Sequence, residues 1–111
     1  MPVIRFSHDW NNKVTGSNEI FTTVRNYTPE KRDYYSAQVG KKFSVMLGKK
    51  KVCEAELIYV EEDRMGTLSF PFLALDTGLT DHNKVYDLFD KFGIKWGGAL
   101  IVLVFKKIKE N

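Results

Sequence analysis

The stretch from Phe43 to Val60 constrains the fold most, because apolar and polar residues alternate along it on both sides of a short turn. A side-chain period of two is that of a β-strand with one buried face. Gly48-Lys49-Lys50 divides the stretch and predicts a hairpin turn. The residues predicted to face inward are Phe43, Val45 and Leu47 before the turn, and Cys53, Ala55, Leu57 and Tyr59 after it.

Three further segments are predicted to be strands. Val3 to Phe6 is a short first strand, and Ile20 to Arg25 is rich in β-branched residues. Ala99 to Lys107 has an unbroken apolar centre, which predicts a strand in the middle of the sheet. Thr67 to Leu75 is apolar but contains Pro71, so we expect an edge strand or an irregular segment there.

Two segments carry the signals of helices. Thr28-Pro29-Glu30 is typical of a helix start, and we expect that helix to run to about Gln38 and to end at Gly40. Thr80 is the predicted cap of a second helix that ends at Gly93. The predicted buried face of this second helix consists of Val85, Leu88, Phe89 and Phe92. The predicted core is Phe43, Val45, Ala55, Leu57, Leu88, Phe89, Ile101 and Leu103.

The length of 111 residues is that of one domain, so we expect residues 1–111 to form a single unit. Cys53 is the sole cysteine, which excludes an internal disulfide and favours a cytoplasmic location. The first ten residues lack the pattern of a signal peptide, and the longest apolar run is too short to span a membrane.

No metal site or cofactor is predicted. His8 and His82 lie in unrelated polar segments without cysteine or aspartate at a ligand spacing. The chain also lacks a phosphate-binding loop and a nucleophile elbow.

The net charge is +3, and the charges are grouped. Five lysines fall within eleven residues that contain no acid, whereas Glu54 to Asp63 is an acidic stretch. The lysines of this group are Lys41, Lys42, Lys49, Lys50 and Lys51. A basic face favours a phosphate-bearing partner, but lysines on hairpins also protect strand edges from pairing, and the sequence leaves both interpretations open.

Three features in this order resemble the ASCH domains of the PUA-like superfamily. The first is the strand ending in Thr22-Thr23-Val24-Arg25, which is similar to the T-x-R strand of that family. The second is the hairpin that begins at Val39-Gly40 and returns through Cys53 to Leu57. The third is Leu75-Asp76-Thr77-Gly78-Leu79, followed by a helix and the final strand.

The resemblance covers residues 20–107 and implies an α+β, mainly β, fold: a PUA-like mixed β-barrel of five to six strands flanked by two main helices. It also implies a cleft between barrel and helices. The family is associated with RNA binding and, in some members, with hydrolysis of modified nucleosides or of RNA.

One departure from the family bears on catalysis. Family members that act as amidohydrolases carry K-x-x-T-x-R together with an acidic residue downstream. Ile20 stands at the lysine position here, and an aliphatic side chain is neither a base nor a nucleophile. Thr23 matches the threonine, and either Asp76 or Asp81 is the candidate acid. We therefore expect no amidohydrolase activity, and retain catalysis through Thr23 and Asp76 as the alternative.

The candidate binding residues follow from the strand period and from the charge. Thr23 and Arg25 lie two apart and share a face of their strand, where an arginine offers a planar fork of donors for phosphate. Alternatively, Arg25 pairs with Asp76 and braces the barrel. The residues predicted to bind nucleic acid are Thr23, Arg25, Lys41, Lys42, Lys49, Lys50 and Trp96. Three tyrosines are further stacking candidates, although packing of a helix on the barrel is favoured for them: Tyr27, Tyr34 and Tyr35.

The sequence thus favours a nucleic-acid-binding domain, with RNA as the expected partner. The alternative is a small hydrolase of the same family, a nucleoside amidohydrolase or ribonuclease with an altered catalytic set. A third interpretation is a protein interaction module in translation or transcription.

Overall fold

Five strands form one mixed sheet in the computed structural model, which describes residues 1–109. The strands lie in the order β1-β3-β4-β5-β2; β1 is parallel to β3, and every other neighbouring pair is antiparallel. Their bounds are β1 Val3–Phe6, β2 Ile20–Asn26, β3 Lys42–Leu47, β4 Lys50–Arg64 and β5 Ala99–Lys107. The expected mixed, mainly β architecture is confirmed.

The two outer strands, β1 and β2, come together although their backbones do not pair. The guanidinium of Arg25 in β2 donates a hydrogen bond from Nη2 to the carbonyl oxygen of Arg5 in β1, at 2.9 Å. The rings of Phe6 and Phe21 meet edge to face, with their centroids 6.0 Å apart. The sheet is therefore curled into a half-barrel, and side chains close its seam where a full barrel would have a strand ladder.

The predicted central position of the last strand is confirmed, because β5 is buried on both faces. Ile101, Leu103 and Phe105 belong to the core inside the curl. Leu100 and Val102 belong to a second core, between the sheet and the helices. A strand with two buried faces needs apolar residues at consecutive positions, which explains the unbroken apolar run.

Two of the helices begin as the sequence indicates, with one difference at a cap. The helix α1, Pro29–Ala37, is capped by Thr28, as predicted. The helix His82–Lys91, labelled α3, is capped by Asp81 and not by Thr80. A carboxylate binds the first backbone N–H groups of a helix and also complements the positive end of its dipole, so Asp81 is the stronger cap.

The segment around Pro71 is a third helix, α2, Phe70–Thr77, and the expectation of an edge strand or irregular chain was wrong. The hydroxyl of Ser69 caps it by accepting a hydrogen bond from the backbone N–H of Phe72. Proline is accepted in the first turn of a helix because the N–H groups there have no partner within the helix. Gly78, at φ 77°, ends α2 in the left-handed conformation that glycine adopts without strain.

Three side chains predicted to be buried are not, and one of them, Phe92 just after α3, is 46% exposed. Tyr59 is 51% exposed, because the register between β4 and β5 shifts between Leu57 and Tyr59. Such a bulge moves every following side chain to the opposite face. Leu88 in α3 is half-buried, because it lines an open cleft. The other predicted core residues are buried, as expected.

Candidate functional site

A cleft of about 320 Å³ opens beside the seam of the half-barrel. Its walls come from the end of β1, the loop that follows it, the Arg25 end of β2, and the helices α2 and α3. The polar groups that line it include Arg5, Lys13, Thr23, Arg25, Lys31 and Asp76. The other walls are largely aromatic or aliphatic, so the cleft combines an apolar interior with several cations.

Lys13 and Asp76 form an ion pair at the cleft, with Nζ and Oδ1 2.9 Å apart. Both side chains are almost fully buried, with 8% and 5% of their surface exposed. The same Oδ1 accepts a hydrogen bond of 2.8 Å from the hydroxyl of Thr22. Asp76 is therefore held by two donors from different segments.

Burial lowers the pKa of the Lys13 ammonium below its ordinary value of 10.5, although the attraction of Asp76 opposes this change. The positive charge of Arg25 adds to the lowering. Burial dominates because a desolvated ammonium loses more hydration than one carboxylate partner restores. Lys13 therefore gives up its proton more readily than a surface lysine.

Arg25 is held in one orientation by its neighbours. Its Nε donates to the hydroxyl of Thr23 at 3.0 Å, and its Nη2 donates to the carbonyl of Arg5. Its Cζ lies 4.8 Å from the centroid of the Phe6 ring, at cation–π distance. Burial lowers the pKa of its guanidinium as well. The alternative interpretation, a pair of Arg25 with Asp76, is not formed, since Asp76 pairs with Lys13 and Arg25 braces the seam through Arg5.

The loop between β1 and β2 brings Trp10 and Lys13 to the cleft by an unusual backbone path. Asn11 and Asn12 both have left-handed conformations, with φ of 57° and 51°. Asparagine tolerates this region better than most residues with a side chain. The side-chain amide of Asn11 donates to the carbonyl of Leu75 in α2 at 2.8 Å, which fastens the loop to that helix.

The structure places three of the sequence-predicted site residues in the cleft and leaves the others outside it. Thr23, Arg25 and Asp76 all line the cleft, whereas Asp81 is an exposed cap of α3. The predicted lysines are exposed and do not line it: Lys41, Lys42, Lys49 and Lys50. The turn that holds Lys49 is nevertheless close, because the backbone N–H of Gly48 donates to the carbonyl of Phe6 at a cleft wall.

The aromatic candidates divide in the same way. Trp96 is 71% exposed but lies outside the cleft, against Tyr86. Tyr27 and Tyr35 pack against the core inside the curl, as favoured from the sequence, whereas Tyr34 is 44% exposed.

Among the lining residues that sequence reasoning missed are four cationic or imidazole side chains and one indole: Arg5, His8, Lys13, Lys31 and Trp10. The tandem asparagines before Lys13 were the available signal, because this pair favours a turn with left-handed residues. Nothing in the sequence indicated that the turn would be folded against α2.

Residues 1–109 contain no group of three or more histidine, cysteine, aspartate or glutamate side chains placed to hold a metal ion. No helix in that range is long and apolar enough to cross a membrane.

The fold of residues 1–109, a curled five-stranded sheet with packed helices, has a counterpart among solved structures. The chain is similar to a solved ASCH domain from Lactobacillus crispatus JV V101, with a TM-score of 0.54 over 96% of this chain and 78% of that one. The sequences are 20% identical, so the likeness establishes the fold. No protein-family model and no curated protein matches the sequence.

Proposed function

We propose that this chain is a single-stranded RNA-binding domain that uses the cleft at the seam of its half-barrel. The observation that carries the proposal is the charge of the cleft: four cationic side chains line it against one carboxylate, that of Asp76. The four cationic residues are Arg5, Lys13, Arg25 and Lys31. A concave surface with such a surplus attracts polyanions and strengthens their binding where water is partly excluded.

The apolar walls favour a nucleic acid with unpaired bases. Trp10 and Phe92 line the cleft with part of their surface accessible. Aromatic side chains bind unpaired bases by stacking, whereas a duplex keeps its bases stacked on one another. A cleft of about 320 Å³ has room for a single base with its sugar and phosphate, but it is too small to admit a duplex.

The hairpin lysines supply a second, weaker contribution. Lys49 and Lys50 are exposed on a turn that is hydrogen-bonded to the strand end at the cleft wall. Exposed lysines act as point charges towards phosphates, so their contribution is independent of sequence and decreases steeply with salt.

The test is a titration of each protein with a short single-stranded RNA of about eight nucleotides at several salt concentrations. We expect the double variant Lys49→Ala/Lys50→Ala to flatten the dependence of log Kd on log salt, by about 0.7 for each phosphate that the variant no longer binds. Arg25→Lys should lower the affinity with little change in that slope, because the charge is kept and the planar fork is removed.

A matched control is the double variant Lys106→Ala/Lys109→Ala. In the sheet Lys106 lies beside Ile20, at the end of β2 away from Arg25, and Lys109 forms an ion pair with Glu19, so neither lysine lines the cleft. This control should retain the wild-type slope. Absence of RNA binding by the wild type even at low salt would refute the proposal and leave the basic groups as solvated strand edges.

A second candidate function, amide hydrolysis on a modified nucleoside, is favoured by one observation. The lysine that the family motif places at position 20 is missing, but Lys13 brings an amine to the same cleft as Thr23 and Asp76. Its lowered pKa suits a general base that takes a proton from a hydroxyl. We rank this candidate second because the Thr23 hydroxyl accepts from Arg25, while Lys13 is engaged by Asp76.

Incubation with N4-acetylcytidine separates the two candidates. We expect no release of cytidine above the protein-free background. Turnover that disappears in both Thr23→Ala and Lys13→Met would contradict this expectation and promote the hydrolase.

A further inference from the structure

Lys13 and Arg25 are two largely buried cations at the cleft, where Asp76 supplies a single carboxylate. Asp76 accepts a hydrogen bond from Lys13, and Arg25 has no acidic partner within residues 1–109. Both cations lie near one ring, with Lys13 Nζ 5.7 Å and Arg25 Cζ 4.8 Å from the centroid of Phe6. One positive charge in a poorly hydrated place is therefore left without a counter-charge.

The donors of Arg25 are only partly used. Nε and Nη2 each make a hydrogen bond, to Thr23 and to Arg5, whereas Nη1 makes none within residues 1–109. In the same range no fully buried side-chain nitrogen or oxygen lacks a partner, so Nη1 is open to solvent at the cleft. Arg25 thus offers fixed, unoccupied donors at the place where a charge is uncompensated.

The desolvation of these two cations favours the binding of an anion between them. A desolvated cation without a partner destabilises the folded chain unless it is neutralised or receives charge-assisted hydrogen bonds. A phosphate provides both, because its oxygens accept from an ammonium and from a guanidinium fork. The lowered pKa of Lys13 has the same origin, and a bound anion would oppose it.

A stacking surface belongs to the same loop as Lys13. Trp10 is half-buried in the cleft wall and stands three residues before Lys13, across the left-handed pair Asn11 and Asn12. Residues held in such sparsely populated backbone conformations occur preferentially at functional sites. The backbone path through Asn11 and Asn12 therefore brings both the Trp10 ring and the Lys13 ammonium to the same cleft.

We infer that the cleft is a site for one nucleotide, with its phosphate between Lys13 and Arg25 and its base against Trp10. The inference rests on the proposed function and names the unit that is bound. The same chemistry is offered by a free nucleoside monophosphate and by an unpaired nucleotide of an RNA strand.

The two tryptophans of the chain allow a direct test, since only Trp10 lies in the cleft. In Trp96→Phe, Trp10 is the single tryptophan; in Trp10→Phe, the exposed Trp96 is the single one. Titrate both with adenosine 5′-monophosphate, adenosine, inorganic phosphate and a short oligoadenylate RNA, following tryptophan fluorescence.

We expect the nucleotide and the RNA to quench Trp10 in Trp96→Phe and to leave Trp96 in Trp10→Phe unchanged. Adenosine should bind about tenfold more weakly than its monophosphate, a difference equivalent to one good charge-assisted hydrogen bond. Inorganic phosphate should displace the nucleotide without itself quenching Trp10. Adding Arg25→Lys to Trp96→Phe should weaken nucleotide binding about tenfold, and thermal unfolding of that variant verifies that it is folded.

The outcomes separate this inference from the proposed function. RNA binding without quenching of Trp10, or equal affinity for adenosine and its monophosphate, would overturn the nucleotide site while the RNA-binding function stands. Nucleotide binding without RNA binding would uphold the site and refute the proposed function.

Discussion

Arg25 Nη2 donates a hydrogen bond of 2.9 Å to the carbonyl oxygen of Arg5 and so joins the two outer strands of a sheet that does not close through its backbone. The contact lies beside the cleft, so the same guanidinium both closes the half-barrel and presents its remaining donors to a ligand. The unpaired backbone groups of an outer strand can pair with another chain. Here the curl of the sheet turns the outer edges of β1 and β2 towards each other.

Arg25→Met should lower the free energy of unfolding by about 1–3 kcal/mol, because it removes two hydrogen bonds from a charged group and the contact of that group with the Phe6 ring. Urea denaturation measures this change. Arg64→Met is the matched control: Arg64 is exposed and donates to the carbonyl of Gly97 at 3.1 Å, so its removal should cost less than about 1 kcal/mol. Equal costs would mean that the seam contact contributes no more than a surface bond.

Lys13→Met and Asp76→Leu should each destabilise the chain by about 3–5 kcal/mol, because each leaves its partner as an uncompensated buried charge. The double variant should cost markedly less than the sum of the two, since neither charge remains. Equilibrium unfolding of the four proteins gives the coupling energy directly. Additive costs would show that the pair is not energetically coupled in solution.

Stability should also depend on pH through Lys13. Its pKa in the folded chain lies below the ordinary 10.5, chiefly through burial, with Asp76 and Asp9 opposing the shift and Arg25 adding to it. Between the two pKa values the unfolded chain binds more protons, so the free energy of unfolding rises with pH in that window. Relative to Lys13→Met, the wild type should therefore gain stability as pH rises through the window that ends at the ordinary lysine pKa of 10.5.

The comparison with Lys13→Met isolates this effect from other titrating groups. Burial raises the pKa of Tyr35 above 10.0, which lowers stability with increasing pH above that value, but Tyr35 is present in both proteins. A constant difference in stability between wild type and variant across the window would show that Lys13 has no lowered pKa in the folded chain.

Leu103→Ala should cost about 2–5 kcal/mol, because Leu103 is fully buried in the central strand β5. Leu75→Ala removes the same atoms from a side chain that is 73% exposed and should change stability by less than about 0.5 kcal/mol. Thermal or urea unfolding of both variants checks the difference. A cost near zero for Leu103→Ala would contradict the central place of β5.

The order of apolar and polar residues along the chain determined most of the sheet. The period of two from Phe43 to Leu57 specified a hairpin with one buried face, and the continuous apolar run of β5 specified a strand buried on both. Thr28 and Pro29 specified the start of α1, because capping depends on a few adjacent residues.

The structure of the Pro71 segment and the bulge in β4 depended on contacts with distant parts of the chain. Pro71 is compatible with an edge strand and with the first turn of a helix, and the segment forms the helix in which Leu73 packs into the core between the sheet and the helices. The bulge after Leu57 depends on how β4 pairs with β5, so the exposure of Tyr59 followed from a partner strand far along the chain.

In the cleft, too, some features were determined by the sequence and others by the tertiary structure. The sequence by itself placed Thr23 and Arg25 on one face of a strand and Asp76 at the end of an apolar segment, because strand period and chain order are local properties. Only the tertiary structure decided that Lys13, 63 residues from Asp76, would become its partner. Pairing of buried charges depends on which segments fold together, and no local period of the sequence encodes that choice.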